Sequence, residues 1–418
     1  MTMNRRMDRS KLNIGAYFLQ PYARTERHVR EVKECGIDFI IGLSDDKATL
    51  DLFEKYGLGA VVGGVLPGWW GGDGDNAGQM AATNPLSAYE KAAEAFVDHP
   101  AIWGIDTGDE PSALDFPHYG KVTALTERLF KNQFAYLNLY PNYASVAQNS
   151  AAQTVNQLGT ATYDEHIDSY CRNVGLDYLC YDFYMYSLSA DHASHKGMHR
   201  AYENLRVVAD ACRATGRDMW IVLQVNSNRP EEWISLDQLR FQAFSAMAFG
   251  AQVITWGCYT AGWWHNQVLD ERGEKTAQYD KLRAVNAEIH ALGERYMMYR
   301  NTSTHFIGFT GRHALSDTRA AAIPALDTGA FRDLRAEGGA PLIAGQMVAR
   351  DGSGRQALFL CDASDPWGEQ PVTDTVRFTT DGRGARVTSA QGEIKPAVEG
   401  GQYTFAMPSC GGVLIEAE

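Results

Sequence analysis

The run AIWGIDTG at 101–108 is apolar or small at nearly every position, and it stops against Asp109, Glu110 and Pro111. A strand with so little polar alternation belongs in a parallel sheet covered on both faces. Seven further runs share the texture: NIGAYFLQ (13–20), DFIIGL (38–43), GAVVGGV (59–65), FAYLNLY (134–140), LDYLCYDFY (176–184), DMWIVLQV (218–225) and QVITWGCY (252–259). Amphipathic stretches lie between them, among them 25–36, 46–57, 85–100, 198–216 and 236–251, several closing on Gly or ahead of Pro as helix C-termini do. Eight β-then-α units in about 250 residues predict an α/β fold, a (β/α)8 TIM barrel. A doubly wound open sheet is the runner-up, but the first βα turn lacks a glycine fingerprint for phosphate.

A long helix is expected over 276–300, and then the texture changes. ALFLCDAS, DTVRFTT, ARVTSA, YTFAMP and GGVLIEAE are short β-type runs separated by DGSG, DGRG and EGG turns. They predict a C-terminal antiparallel β-sandwich, hence a barrel domain over 10–300 and a second domain over 301–418. Trp367 is the exposed-looking tryptophan of the second domain, which is read as a packing partner in preference to a sugar-binding module.

Composition narrows the function. The chain has 418 residues, 45% of them hydrophobic, enough for a sizeable core, and its net charge of −13 disfavours nucleic acid and anionic membranes as partners. The basic N-terminus leads into no apolar segment of signal or membrane-spanning length, so a soluble, cytoplasmic protein is expected. Seven cysteines stand singly, as suits reduced core thiols. No HExxH or His-x-His spacing occurs, DHASHKGMH (191–199) reads as a polar loop, and GGDGDN (71–76) resembles a calcium loop in composition alone. Neither metal nor cofactor is expected, and the oligomeric state is open.

In a barrel of this kind the working face is the C-terminal end of the strands. Strand three delivers Trp69 and Trp70 there; strand four Asp106, Asp109 and Glu110; strand five Asn138 and Tyr140. Strand six delivers Asp182 and Tyr184; strand seven Gln224 and Asn226; strand eight Trp256, Trp263 and Trp264. Aromatic faces stack on pyranose rings while amides and carboxylates bind hydroxyls, so these residues predict a carbohydrate site. Cleaving a glycosidic bond needs a proton donor and a second carboxylate. Glu110 is the expected donor, with Asp106 and Asp109 beside it raising its affinity for the proton. The tryptophans, Asp109, Asn138, Tyr140, Tyr184, Gln224 and Asn226 are expected to hold the sugar.

WGIDTGDEPS (103–112) resembles the strand-four motif of clan A glycoside hydrolases, with Asp109 in the Asn position and Glu110 in the acid/base position of Asn-Glu-Pro. FGAQVITWGCYT, LDERGEKTAQYDKLRAVNAEI and the C-terminal β-domain are similar to β-galactosidase-like members of that clan. The resemblance implies a strand-seven glutamate as nucleophile, where this chain has Gln224 in WIVLQVNSN. Three repairs stand open: Asp182 as the second carboxylate, which is preferred; Glu231 or Glu232 reaching back from the NRPEEW loop; or a barrel that binds carbohydrate without cleaving it.

Overall fold

The computed structural model describes residues 6–70, 76–144, 157–187, 196–260, 264–315, 321–369 and 372–418. Its parallel strands β1 (Asn13–Tyr17), β2 (Phe39–Leu43), β3 (Gly59–Val62), β4 (Ile102–Asp109), β5 (Phe134–Leu139), β6 (Tyr178–Phe183), β7 (Asp218–Gln224) and β8 (Ala251–Gly257) neighbour one another in chain order. Pairing of Asn13 with Val253 through Ala16 with Trp256 closes the ring, so none of the eight strands has a free edge. Around them run α1 (Glu26–Glu34), α2 (Lys47–Tyr56), α3 (Met80–Thr83), α4 (Leu86–Ala93), α5 (Phe116–Leu129), α6 (Tyr163–Asn173), α7 (Lys196–Thr215), α8 (Leu236–Ala248) and α9 (Ala277–Tyr296). The (β/α)8 reading of the sequence holds.

Local chemistry sets the helix ends. The Asp46 side chain accepts from the Thr49 amide to start α2, and Gly57 at φ 65° ends it in the left-handed region. Reciprocal capping boxes, Thr162 with Glu165 and Ser235 with Gln238, start α6 and α8. The sequence pattern carries α4 to residue 100, yet the helix stops at Ala93. Phe96 turns aside to meet Phe130 edge-on at 4.8 Å, and Asp98 accepts from Arg6 and Gln133, each at 2.7 Å. Helix α9 likewise ends at Tyr296, short of the expected residue 300, because the next strand begins at Tyr299.

The C-terminal region comprises β9 (Tyr299–Ile307), β10 (Ala322–Ile323), β11 (Phe331–Ala336), β12 (Leu342–Ala349), β13 (Gln356–Asp362), β14 (Thr373–Thr380), β15 (Ala385–Ser389), β16 (Gly392–Ile394), β17 (Ala397–Glu399), β18 (Gln402–Pro408) and β19 (Gly412–Ala417). They form two sheets, ordered β10-β9-β12-β13-β19-β15-β16 and β11-β14-β18-β17. Pairing is antiparallel except for the two-residue β10, which runs parallel to β9. Period-two alternation sorts the apolar residues. Leu342, Ala344, Leu358, Leu360, Val413 and Ile415 face the second sheet, while Ile343, Met347, Phe359, Cys361 and Leu414 join the core of the barrel.

The seam between barrel and sandwich is thus largely apolar, and polar links cross it at its margins. Glu416, 3% exposed, accepts from Arg295 Nε at 2.6 Å and from Tyr299 Oη at 2.9 Å. Tyr186, beyond β6, donates to the Pro366 carbonyl at 2.6 Å and meets the Trp367 ring edge-on at 5.3 Å. Trp367 is only 5% exposed, a packing residue.

Along this seam Gly345 in β12 comes close to α8, where a β-carbon would stand 2.1 Å from the Ala248 carbonyl oxygen. Gly345→Ala is expected to push sheet from helix and destabilise the protein by about 1–3 kcal/mol, as overpacking does. Thermal unfolding of the variant beside wild type checks this, and an unchanged Tm would contradict such close packing.

Candidate active site

The site begins with an irregularity in β4. Asp106 pairs with Tyr136 of β5 but Gly108 pairs with Leu137, so β4 carries one extra residue between them. Residues three apart on a regular strand face opposite sides; a bulge restores Asp106 and Asp109 to the same side, the barrel mouth. Gly108 permits it, since a β-carbon there would meet the Tyr119 hydroxyl at 2.5 Å. The Gly108 amide donates to Asp106 Oδ1 at 3.1 Å. Glu110 follows with φ 43°, a left-handed conformation costly for a side chain with a β-carbon and characteristic of functional positions. Its amide still continues the ladder, donating to the Asn138 carbonyl at 2.9 Å.

Strand β5 supplies the strut. Asn138 Nδ2 donates to Asp109 Oδ1 at 3.0 Å and to Asp182 Oδ1 at 2.9 Å, so both amide hydrogens are taken up by carboxylates from the two flanking strands. Asn138 Oδ1 accepts from Cys180 Sγ at 3.4 Å. Beneath lies a polar column, with Cys180 Sγ 3.5 Å from Tyr136 Oη and that hydroxyl 2.8 Å from Tyr17 Oη. Glu110 acts on the Asp182 carboxyl as a polar neighbour, lowering its affinity for a proton against the rise from burial.

Burial pushes Asp182 up to about 7, and the charge of Asp109 adds to it against the opposing hydrogen bonds of Asn138 and Glu110. Asp106 is raised to about 7 by burial and then by Asp109. Asp109 is raised as well, chiefly by burial, against the hydrogen bond from Asn138. It is open to solvent at the mouth, yet protein surrounds it on most sides, and that enclosure sets the direction. Burial pushes the thiols of Cys180 and Cys258 well above the ordinary range, which leaves them no part as nucleophiles.

Aromatic residues flank the carboxyl groups. Trp70, 46% exposed, meets Tyr140 edge-on at 6.3 Å; Tyr184 meets Trp264 edge-on at 4.6 Å. Trp69 is tied down, donating to Asp115 Oδ2 at 3.0 Å. Tyr17 and Tyr143 belong to the cluster although the sequence did not single them out. Burial and then the charge of Asp109 raise Tyr17, and burial and then Asp182 and Glu110 raise Tyr143.

Three expected sugar contacts lie elsewhere. Gln224 is fully buried, its Oε1 accepting from the Tyr186 amide and its Nε2 donating to Ser187 Oγ and the Asn226 carbonyl. Asn226 spans the Cys258 peptide groups, donating to its carbonyl at 3.1 Å and accepting from its amide at 3.2 Å. Trp256 points out of the barrel and donates to Asn286 of α9 at 2.8 Å. Of the loop glutamates, Glu231 is exposed and Glu232 pairs with Arg229 at 2.8 Å. Trp263, GGDGD (71–75) and DHASH (191–195) lie outside the described residues.

Among the described residues one group has metal-ligand spacing, Asp51, Glu54 and His99, away from the site. His99 Nδ1 accepts from the Ala101 amide at 3.2 Å, which places the ring proton on Nε2, facing Asp51 at 3.1 Å. A hydrogen-bonded cluster accounts for it.

No family model matches the sequence, and no curated protein does. Solved structures are similar to it at low identity. They include a glucosidase from Croceicoccus marinus, 10% identical, TM-score 0.45, over 98% of this chain and 96% of that one. A putative α-L-fucosidase from Bacteroides thetaiotaomicron is 13% identical, TM-score 0.46, over 66% and 94%. A family 5 mannosidase from Rhizomucor miehei is 11% identical, TM-score 0.43, over 68% and 94%.

The raised aspartates predict a pH-dependent stability. Between its ordinary 3.8 and about 7, folded Asp106 holds a proton that the unfolded chain releases, so its contribution to stability falls as pH rises through that window. Asn mimics the protonated form and can still accept from Gly108. Asp106→Asn is therefore expected to raise Tm at pH 8 and leave it unchanged at pH 4; a rise of equal size at both values would refute the assignment.

Proposed function

We propose that the protein is a glycoside hydrolase acting on a small oligosaccharide or glycoside, with Glu110 as general acid or acid/base and Asp182 as the second carboxylate. The observation that carries the reading is the gathering of Asp109, Glu110 and Asp182 at the barrel mouth, where Asn138 donates to both aspartates and Glu110 acts on the Asp182 carboxyl. A glycosidic bond breaks when its departing oxygen receives a proton while negative charge faces the anomeric carbon. The pair supplies both at once: Glu110 hands its proton to the oxygen, and Asp182 presents its carboxylate to the sugar. Asp182 acts as nucleophile if the two carboxyls stand about 5–5.5 Å apart, and as base for a water if they stand about 6.5–9.5 Å apart.

In this reading strand seven has no catalytic part, and the missing glutamate is no obstacle: the amide of Gln224 is occupied in holding the β6 and β7 loops. Trp70, Tyr184 and Trp264 offer apolar faces for the ring, and Tyr140, buried, backs Trp70. Asp109 tunes the pair through Asn138, and a mouth walled by aromatics fits a short, exo-cleaved substrate.

Glu110→Gln should lower turnover by about 10²–10⁴-fold. The loss should be larger for oligosaccharides, whose alkoxide needs the proton, than for activated aryl glycosides, whose phenolate does not. Hydrolysis of a panel of both checks this. A wild-type protein that binds members of the panel and cleaves none would instead establish a carbohydrate-binding barrel.

The pH–rate profile is a second check. Activity needs Asp182 ionised, so kcat/KM should fall as pH drops through about 7. A rate that stays level from pH 7 down to pH 5 would remove Asp182 from the mechanism.

A further inference from the structure

At the end of the barrel opposite the carboxyl pair, a cleft of about 320 Å³ opens between the starts of β7 and β8 and the strands β9 and β12. Four arginines line it, Arg213, Arg217, Arg300 and Arg350, in a chain whose net charge is −13. The acidic lining residue, Asp218, is already paired with Arg9.

Two of the guanidinium groups are engaged and two are open. Arg213 donates to Asn301 Oδ1 at 2.6 Å and pairs with Asp210. Arg217 binds the Leu176 and Val174 carbonyls, each at 2.8 Å, but its Nη1 is buried without a partner. Arg350 uses only Nε, donating to the Tyr299 carbonyl at 2.9 Å, and the Arg300 side chain has no hydrogen bond or ion pair among the described residues. Gln252, also in the wall, has a buried side-chain oxygen without a partner. Orphaned buried polar atoms are rare in folded proteins and mark a place where something else completes the bonding. Forked N–H donors match the oxygens of a tetrahedral dianion, and an unpaired amide matches a hydroxyl.

We propose that this cleft binds a phosphorylated, hydroxyl-bearing small molecule, a sugar phosphate in chemical class. Its phosphate sits between the exposed Arg300 and Arg350 guanidinium groups, and a hydroxyl meets the side chain of Gln252. The site is separate from the carboxyl pair and does not depend on the reaction proposed there.

Calorimetric titration of the full chain with glucose 6-phosphate, inorganic phosphate and chloride at matched ionic strength tests the assignment. Binding of glucose 6-phosphate is expected, tighter than inorganic phosphate and absent for chloride. It should weaken about tenfold or more in Arg300→Ala, which breaks no side-chain bond among the described residues, and further when Arg350→Ala is added. Gln252→Leu should narrow the gap between glucose 6-phosphate and inorganic phosphate. No heat beyond that of chloride, or an unchanged Kd in the double variant, overturns the site. Equal affinity for the ester and the free ion overturns the hydroxyl-bearing ligand.

Discussion

Everything in this molecule hangs on the hydrogen bonding of β1 to β8. A parallel strand cannot turn back on its neighbour through a short hairpin, so each returns by a helix, and closing the ring makes every strand interior. Closure also gives all eight strands one direction, so their C-terminal ends meet at one mouth. Asp109 and Asp182 come from strands that are not neighbours, yet Asn138 between them touches both, at 3.0 and 2.9 Å. The chemistry of the mouth is a product of the ring.

The mouth is kept at a cost. Asp106, Asp109 and Asp182 all bind protons more readily than a free aspartate, because their charges have been drawn into the protein. Glu110 sits in a left-handed backbone conformation. A chain selected for stability alone would place none of these features together. The polar column of Cys180, Tyr136 and Tyr17 underneath, and the double donation from Asn138, offset part of that cost by leaving no carboxylate of the cluster without a donor or a neighbour.

The barrel was legible because its strands announce themselves: buried on both faces, they read as continuous apolar runs. The same property hides which face a given residue takes. Trp256 and Gln224 looked like rim residues because they end strands, but one points to α9 and the other is enclosed by the β6 and β7 loops. The bulge in β4 is invisible in AIWGIDTG, so the alignment of Asp106 with Asp109 could not be derived from spacing. Tyr17 and Tyr143 were missed because an aromatic in or beside an apolar run gives no sign of the carboxylates it will face. In the sandwich, β9 reads YRNTSTHFI, mostly polar, and merged into the helix before it. Trp367 looked exposed for want of any signal that Tyr186, far along the chain, would cover it.

The order of strands in the larger C-terminal sheet constrains how that region can be built. Strand β19 lies between β13 and β15, in the interior of the sheet and not at its rim. On a ribosome, β15 and β16 emerge first and have no pairing route to β13 until residues 412–417 are available to stand between them. The sheet therefore cannot grow outward strand by strand as synthesis proceeds. Its two portions wait, joined by no ladder, for residues 412–417 to be threaded between them, which makes the sandwich a late and concerted assembly on a barrel whose eight strands are already complete.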